Sequence, residues 1–383
     1  MKKNCLFCGK KNFKLFYKIK SFPIYFGAIP KDDFNKIKKF PLEISYCKNC
    51  LLVQQTRKIS EKVMNKVYTS KYYNCPSPKK SGLGDREIQK FWNFFKSIKQ
   101  KKGKILEIAS FDGYLLGMMK KIGWDTYGCD PSSASKVAKK KFGDKIKTTF
   151  YKAGLYKKKF FDVIVFRNLL EHMYDIEKFL KDVSFSLKND GHVFIDVPNI
   201  KAIVKSGSFG VFFHQHISYF SRSTIKNVLE KNGFKVKKIF EGNPNLFAYA
   251  QKKNFLKQRP YKKNDLIFLN RNIKKSEKIK DKILKIFKEK KTQKIVLFGM
   301  SALATSIINF LPKNLKKKII LLCDNDKLKH SKLLSGINKK IYHPKKLKTI
   351  SLDKVIICSY FFKDEIANSL KKYVKDKKQL IFI

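Results

Sequence analysis

Arginine is scarce in this chain: six residues, at 57, 86, 167, 222, 259 and 271, among 86 basic side chains set against only 30 acidic ones. The net charge of +56 invites a nucleic-acid reading. The planar guanidinium fork that reads phosphates and base edges is what the chain has least of, and its lysines are spread over every segment instead of forming a stripe. No specific nucleic-acid partner is expected. There is no N-terminal apolar run resembling a signal peptide. The best membrane candidate, Ile295 to Leu311, holds Gly299, Ser301, Thr305, Ser306 and Asn309 and is short for a span. It reads as a strand, a turn and a buried helix. A cytoplasmic protein without a membrane span is therefore expected, and in that compartment eight cysteines mean free thiols or metal ligands, not disulfides. Also missing is the G-x-G-x-x-G turn of dinucleotide-binding folds.

The chain has 383 residues, 43% of them hydrophobic and 14% aromatic, enough for two or three domains with real cores. It is organised around Lys104 to Asp130, KILEIASFDGYLLGMMKKIGWDTYGCD. Ile105 to Ile108 reads as a buried parallel strand carrying Glu107, Tyr114 to Ile122 as a helix, and Thr126 to Cys129 as a second strand ending on Asp130. Between them lie Ala109, Ser110 and Gly113, small residues that let a ligand approach the backbone. The helix N-terminus faces that ligand, and a closing acid accepts hydrogen bonds from ribose hydroxyls. This is the chemistry of nucleoside binding. After Pro131, Ser132 is placed to cap a helix over 134–142. Phe161 to Phe166 is a strand followed by Arg167-Asn168-Leu-Leu-Glu171-His172, at the carboxyl end where open α/β sheets bind ligands. A helix over Glu177 to Leu187, a turn over Leu187 to Gly191 and a strand from His192 to Val197 continue the alternation. The sheet should be mostly parallel and doubly wound.

Two C-x-x-C hooks, Cys5/Cys8 and Cys47/Cys50, suit a tetrahedral Zn²⁺. Four thiolates leave no open position, so such a site is structural. Val67-Tyr68 leads to Tyr72 and Tyr73 beside a proline-containing loop, where tyrosines either line a pocket or simply pack. Phe212 to Ser221, FFHQHISYFS, concentrates His214 and His216 in a chain with only six histidines. Histidine acts as a general base near neutral pH, and a buried structural role is the competing reading. A lysine-rich helix over Leu266 to Lys290 leads to a further α/β unit with strands at Ile295 to Phe298, Ile319 to Cys323, Lys354 to Cys358 and Leu380 to Phe382.

The turn Glu107-Ile-Ala-Ser-Phe-Asp-Gly113 resembles the first motif of class I S-adenosylmethionine methyltransferases, with Ala109 in place of the first glycine. In order, the double C-x-x-C module, EIASFDG with GCDPS, FHQHISYFS and the second nucleotide-binding-like unit resemble the sugar C-methyltransferase family, such as the NDP-hexose C-methyltransferases of deoxysugar pathways. The resemblance implies a class I methyltransferase doubly wound sheet, preceded by a small zinc-binding domain and followed by a Rossmann-like α/β domain, with boundaries at 1–76, 77–253 and 254–383. It implies zinc on Cys5, Cys8, Cys47 and Cys50. S-adenosylmethionine would lie among Glu107, Ala109, Ser110, Gly113, Asp130, Pro131 and Asn168, with Asp130 on the ribose. The substrate would be a nucleotide-linked keto-sugar, methylated at carbon through a base-generated enolate. His216 would be the base, helped by His214 or His172, with Tyr72 or Tyr73 in the pocket. Gln215 and Phe213 stand where the family has a glutamate and a tyrosine. Glutamine takes no proton, so an acid/base role there is lost or moves to a histidine. The rival readings are an O- or N-methyltransferase of surface-polysaccharide sugars, or a non-catalytic nucleotide-binding or nucleic-acid-binding protein.

Overall fold

The computed structural model describes residues 4–70, 83–253, 263–360, 363–374 and 376–383. The chain forms two compact units that do not follow sequence order. One gathers residues 1–14, 45–202 and 216–266; the other gathers 15–44, 203–215 and 267–383.

The first unit is built on a seven-stranded sheet. Its spatial order is Phe234–Glu241, Asn245–Lys252, Leu187–Pro198, Phe161–Arg167, Lys104–Ile108, Asp125–Cys129 and Ile146–Lys147. The five strands from Leu187–Pro198 onward run parallel, and Asn245–Lys252 is antiparallel to both of its neighbours. The parallel strands are apolar on both faces, as burial beneath helices on each side requires. Their side chains divide with a period of two. Leu106, Ile164 and Phe166 belong to one core cluster, and Ile105, Val163 and Val165 to another. The second cluster is covered by the helix Leu83–Lys96 through Phe91, Trp92, Phe94 and Phe95, and the first by Ile176–Ser186 and Arg222–Lys231. This is the mostly parallel, doubly wound sheet that the strand and helix alternation predicts. Cys5, Cys47, Cys50 and Leu52 pack within the first cluster too.

Two local expectations change. The turn expected over Leu187 to Gly191 lies inside the strand Leu187–Pro198, where Phe161 pairs with Leu187 but Val163 with His192. The intervening turn-forming residues leave the ladder as a bulge without ending the strand. Ser132 does not cap the helix Ser135–Phe142, whose first turn has no side-chain cap. Its hydroxyl donates to Asp130 Oδ1 at 2.5 Å instead.

The second unit holds another seven-stranded sheet, ordered Leu380–Phe382, Lys354–Ile357, Ile295–Phe298, Ile319–Cys323, Ile337–Tyr342, Leu333–Leu334 and Ala28–Ile29. The stretch read as strand, turn and buried helix is Ile295–Phe298 followed by Ala302–Phe310. Among the described residues no helix is long and apolar enough to cross a membrane.

Gly128 sets the spacing between the first two strands and the loop above them. A Cβ there would lie 2.7 Å from Ser110 Oγ and 2.8 Å from Leu116 Cδ1. Gly128→Ala should lower stability by about 1–3 kcal/mol, as overpacked cores do, read as a fall in the urea midpoint with the m-value unchanged.

Candidate active site

The loop after Lys104–Ile108 is shaped by backbone strain. Ala109, Phe111 and Gly113 all have positive φ, at 61°, 48° and 73°. The N–H groups of Ala109 and Ser110 both donate to Cys129 O, at 2.9 and 3.2 Å, and Phe111 N–H donates to Asp130 Oδ2 at 3.1 Å. Asp130 Oδ1 accepts from the N–H of Ser132 at 2.8 Å. The acid closing the second strand thus holds both the loop at its own strand's end and the loop beside it. Gly113 leads into the helix Tyr114–Lys121, and a Cβ on it would meet Phe142 at 2.9 Å. Beneath the turn, Glu107 is buried with Oε2 lacking a hydrogen-bond partner. Burial pushes its pKa up to about 8, against the opposing charge of Arg167 and with the help of Asp112 and Asp130. A left-handed turn, a buried carboxyl with one oxygen unpartnered among the described residues, and a helix N-terminus thus stand together at one strand end.

Asn168 lies exposed after Phe161–Arg167, with φ at 46° and its N–H donating to Asp196 O at 2.8 Å. That strand runs parallel to Lys104–Ile108, so 168–172 and 109–113 leave the same carboxyl edge. At this edge Glu171, His172 and His216 converge. Oε1 of Glu171 is 4.0 Å from Nε2 of each histidine, and the two rings are 5.1 Å apart and nearly perpendicular. The Tyr68 hydroxyl is 3.0 Å from His172 Nδ1. Two contacts fix the His216 segment. Ile217 N–H donates to Glu171 O at 2.7 Å, and Gln55 Nε2 donates to His216 O at 2.6 Å. The short strands Val53–Gln55 and Ser218–Tyr219 pair beside it.

The other expected residues fall elsewhere. His214 belongs to the second unit, where its Nε2 is 3.1 Å from Phe22 O and its ring packs edge-on against Phe22 and Phe40. Burial pushes its pKa down to about 4, so the ring is neutral. Tyr72 and Tyr73 lie outside the described residues. Three groups of the site enter only with the structure. Nothing in the sequence sets Tyr68 apart from Tyr72 and Tyr73, and Glu171 is marked only by its place after a strand. The ion pair from Arg167 to the fully buried Asp196, at 2.9 Å, was not anticipated. An arginine at a strand end in a chain nearly free of arginine was the available signal for that pair.

The four N-terminal cysteines meet. Sγ of Cys5 is 3.4 Å from that of Cys50, Sγ of Cys8 is 3.5 Å from that of Cys47, and all four lie within 4.8 Å of one another. The two hooks are copies of one turn. Cys5 N–H donates to Lys10 O and Gly9 N–H to Cys5 O; Cys47 N–H donates to Leu52 O and Leu51 N–H to Cys47 O. Gly9 and Leu51 both sit at positive φ, 73° and 61°. Tetrahedral Zn²⁺ with Zn–S near 2.3 Å needs sulfurs about 3.8 Å apart, so the cluster is compatible with that ion.

Glu107 makes ligand-free stability depend on pH. A carboxyl with its folded pKa near 8 ionises far earlier when unfolded, so its contribution is complete below about pH 4 and is lost as pH rises through 8. Urea midpoints of the ligand-free protein should fall between pH 5 and pH 8.5, and Glu107→Gln should flatten that fall.

Residues 83–239 match the family model of a methyltransferase domain, and residues 257–383 match that of a C-methyltransferase C-terminal domain. The C-methyltransferase NovU of Streptomyces niveus is 36% identical over 70 residues, which span 18% of this chain and 17% of NovU. Among solved structures, a putative S-adenosylmethionine-dependent methyltransferase of Listeria monocytogenes covers 43% of this chain and 99% of its own at 16% identity and a TM-score of 0.36. A putative methyltransferase complexed with the Trm112 activator of Haloferax volcanii covers 46% and 93% at 12% identity and a TM-score of 0.40. The chain therefore carries, in this order, a region similar to methyltransferase domains and a region similar to the C-terminal domain of C-methyltransferases.

Proposed function

We propose that this protein methylates a carbon next to the ketone of a nucleotide-linked keto-sugar. The observation that carries this reading is the gathering of His172, His216 and Tyr68 about Glu171, at the sheet edge that also presents the 109–113 turn. A carbon acceptor needs a base, and a hydroxyl acceptor needs no enolate. The C-terminal family match and the NovU similarity also favour carbon.

Bound S-adenosylmethionine supplies the electrophile, a methyl group on sulfonium whose departure leaves the C–S electron pair on sulfur. Glu107, Ala109, Ser110, Gly113, Asp130, Pro131 and Asn168 would surround it, with Asp130 at the ribose. His216 takes the proton α to the ketone; the C–H pair becomes the enolate, whose carbon is the nucleophile. His172 is oriented through Nδ1 by the Tyr68 hydroxyl and assists. The left-handed turn, held by Cys129 O and Asp130, keeps its geometry without help from the ligand. That prior ordering is what orientation in catalysis requires. Cys5, Cys8, Cys47 and Cys50 would hold a structural Zn²⁺, with every position taken by protein.

Incubation with ¹³C-methyl-labelled S-adenosylmethionine and a panel of nucleotide-linked keto-sugars should give a C-methyl signal by NMR. An O-methyl signal, or none across the panel, overturns the reading. His216→Asn should cut turnover about 10²–10⁴-fold, the range for a lost general base, with S-adenosylmethionine affinity by calorimetry unchanged. Elemental analysis should find one zinc per chain, and Cys47→Ser should lose most of it.

A further inference from the structure

Glu171 is fully buried, and among the described residues neither carboxylate oxygen has a hydrogen-bond partner beyond the approach of its own backbone. Buried carboxyls almost always accept at least one hydrogen bond, so this one requires an explanation. Its surroundings supply one. Nε2 of His172 and Nε2 of His216 both stand 4.0 Å from the same oxygen. The Tyr68 hydroxyl holds the far nitrogen of His172, and the Tyr219 ring lies edge-on to His216 at 5.6 Å. The other charge facing Glu171 is the buried Asp196, itself matched by Arg167. Burial first, then Asp196, holds the Glu171 carboxyl well above the usual carboxylate range. A carboxyl that binds a proton this readily, flanked by two imidazoles, belongs to a group that titrates as a unit.

We propose that Glu171 is a positioning residue that shares one proton with His172 and His216 and thereby fixes the orientation and charge of His216. This rests on the reading of His216 as the base. In the resting cluster one proton is distributed over three groups. Either Glu171 is protonated between two neutral imidazoles, or it is ionised beside one imidazolium, and both arrangements are neutral overall. When His216 takes the substrate proton, the C–H electron pair goes to the enolate and the cluster gains one positive charge. With the shared proton on His172 and Glu171 ionised, the new imidazolium lies beside a carboxylate instead of in an apolar interior. Removing the carboxylate makes His216 a weaker base, while the methyl-donor turn keeps its own hydrogen bonds.

Glu171→Gln keeps the shape and removes the charge. Base strength can be read as deuterium uptake at the α-carbon of a thymidine-diphosphate 4-keto-hexose in D₂O, followed by NMR across pH. The exchange plateau should fall about tenfold to a hundredfold. Its acid limb should move to lower pH by about one unit, because a neighbouring carboxylate favours the protonated base. S-adenosylmethionine affinity should be unchanged, and Glu171→Asp should recover part of the loss. Independently of any substrate, ¹³C-histidine NMR on the wild type should show His172 and His216 titrating as a coupled pair, and independently in Glu171→Gln. A lower plateau with an unmoved acid limb overturns the proposal. So do two ordinary, independent wild-type titrations, or a second zinc per chain that Glu171→Gln loses. If Glu171→Gln does not fold, the wild-type titration decides alone. If no keto-sugar exchanges, the proposed function fails while the titration still tests the shared proton.

Discussion

One carbonyl and one carboxylate lock the carboxyl ends of the first two parallel strands. Cys129 O takes the N–H groups of Ala109 and Ser110, and Asp130 takes that of Phe111 and the backbone of the loop that follows it. To reach them the chain must pass through left-handed backbone at Ala109 and Phe111, which costs non-glycine residues about 1–2 kcal/mol each. The strain is held by four hydrogen bonds and by Gly113 and Gly128, which leave room for Phe142 and Ser110. Everything proposed for the methyl-donor site follows from this lock. It fixes where the helix Tyr114–Lys121 begins and leaves Glu107 buried beneath the turn with an oxygen unsatisfied.

The second unit repeats the lock in a relaxed form. Cys323 O takes Gly299 N–H at 2.9 Å, and Asp324 Oδ2 takes Met300 N–H at 2.6 Å. Here the left-handed residue is a glycine, with φ at 87°, and the helix that follows has a proper cap in Ser301. Asp324 also carries an ion pair with Lys329 at 2.9 Å, whereas Asp130 takes its bonds from neutral backbone and a serine. The same backbone device therefore has different electrostatics in the two sheets. The strained copy stands at the edge where the histidines gather, in keeping with backbone strain clustering at functional sites.

Strands and their order were readable because periodicity reports burial. Ile105 and Leu106 alternate between two cores, and FDVIVF is apolar from Val163 to Phe166 because both faces of its sheet are covered. The turn chemistry was readable too, since small residues before a helix leave few alternatives. What could not be read was pairing at long range. Tyr68 meets His172 across 104 positions, and Arg167 meets Asp196 from neighbouring strands. Patterns of polarity carry no address for such partners. Ser132 shows the limit at short range. It has the composition of a helix cap, yet its hydroxyl donates a charge-assisted bond to Asp130, which holds the side chain toward that acid instead of over the helix N-terminus. The interleaving of segments into two units was equally invisible, because no loop composition marks where residues 15–44 leave one core for another.

The segment FHQHISYFS shows how neighbouring residues of one type diverge in chemistry. His214 and His216 are two positions apart and share a strongly apolar context, so sequence treats them alike. The structure divides them between the two compact units at Gln215/His216. His214 meets backbone groups of Phe22 and Phe40 and their two phenyl rings, and burial outweighs those hydrogen bonds and keeps it neutral. His216 meets a carboxyl group and a second imidazole, where a proton can be held in more than one place. A base needs a destination for the charge it acquires, and of the two rings only His216 has a carboxylate beside it in the described residues.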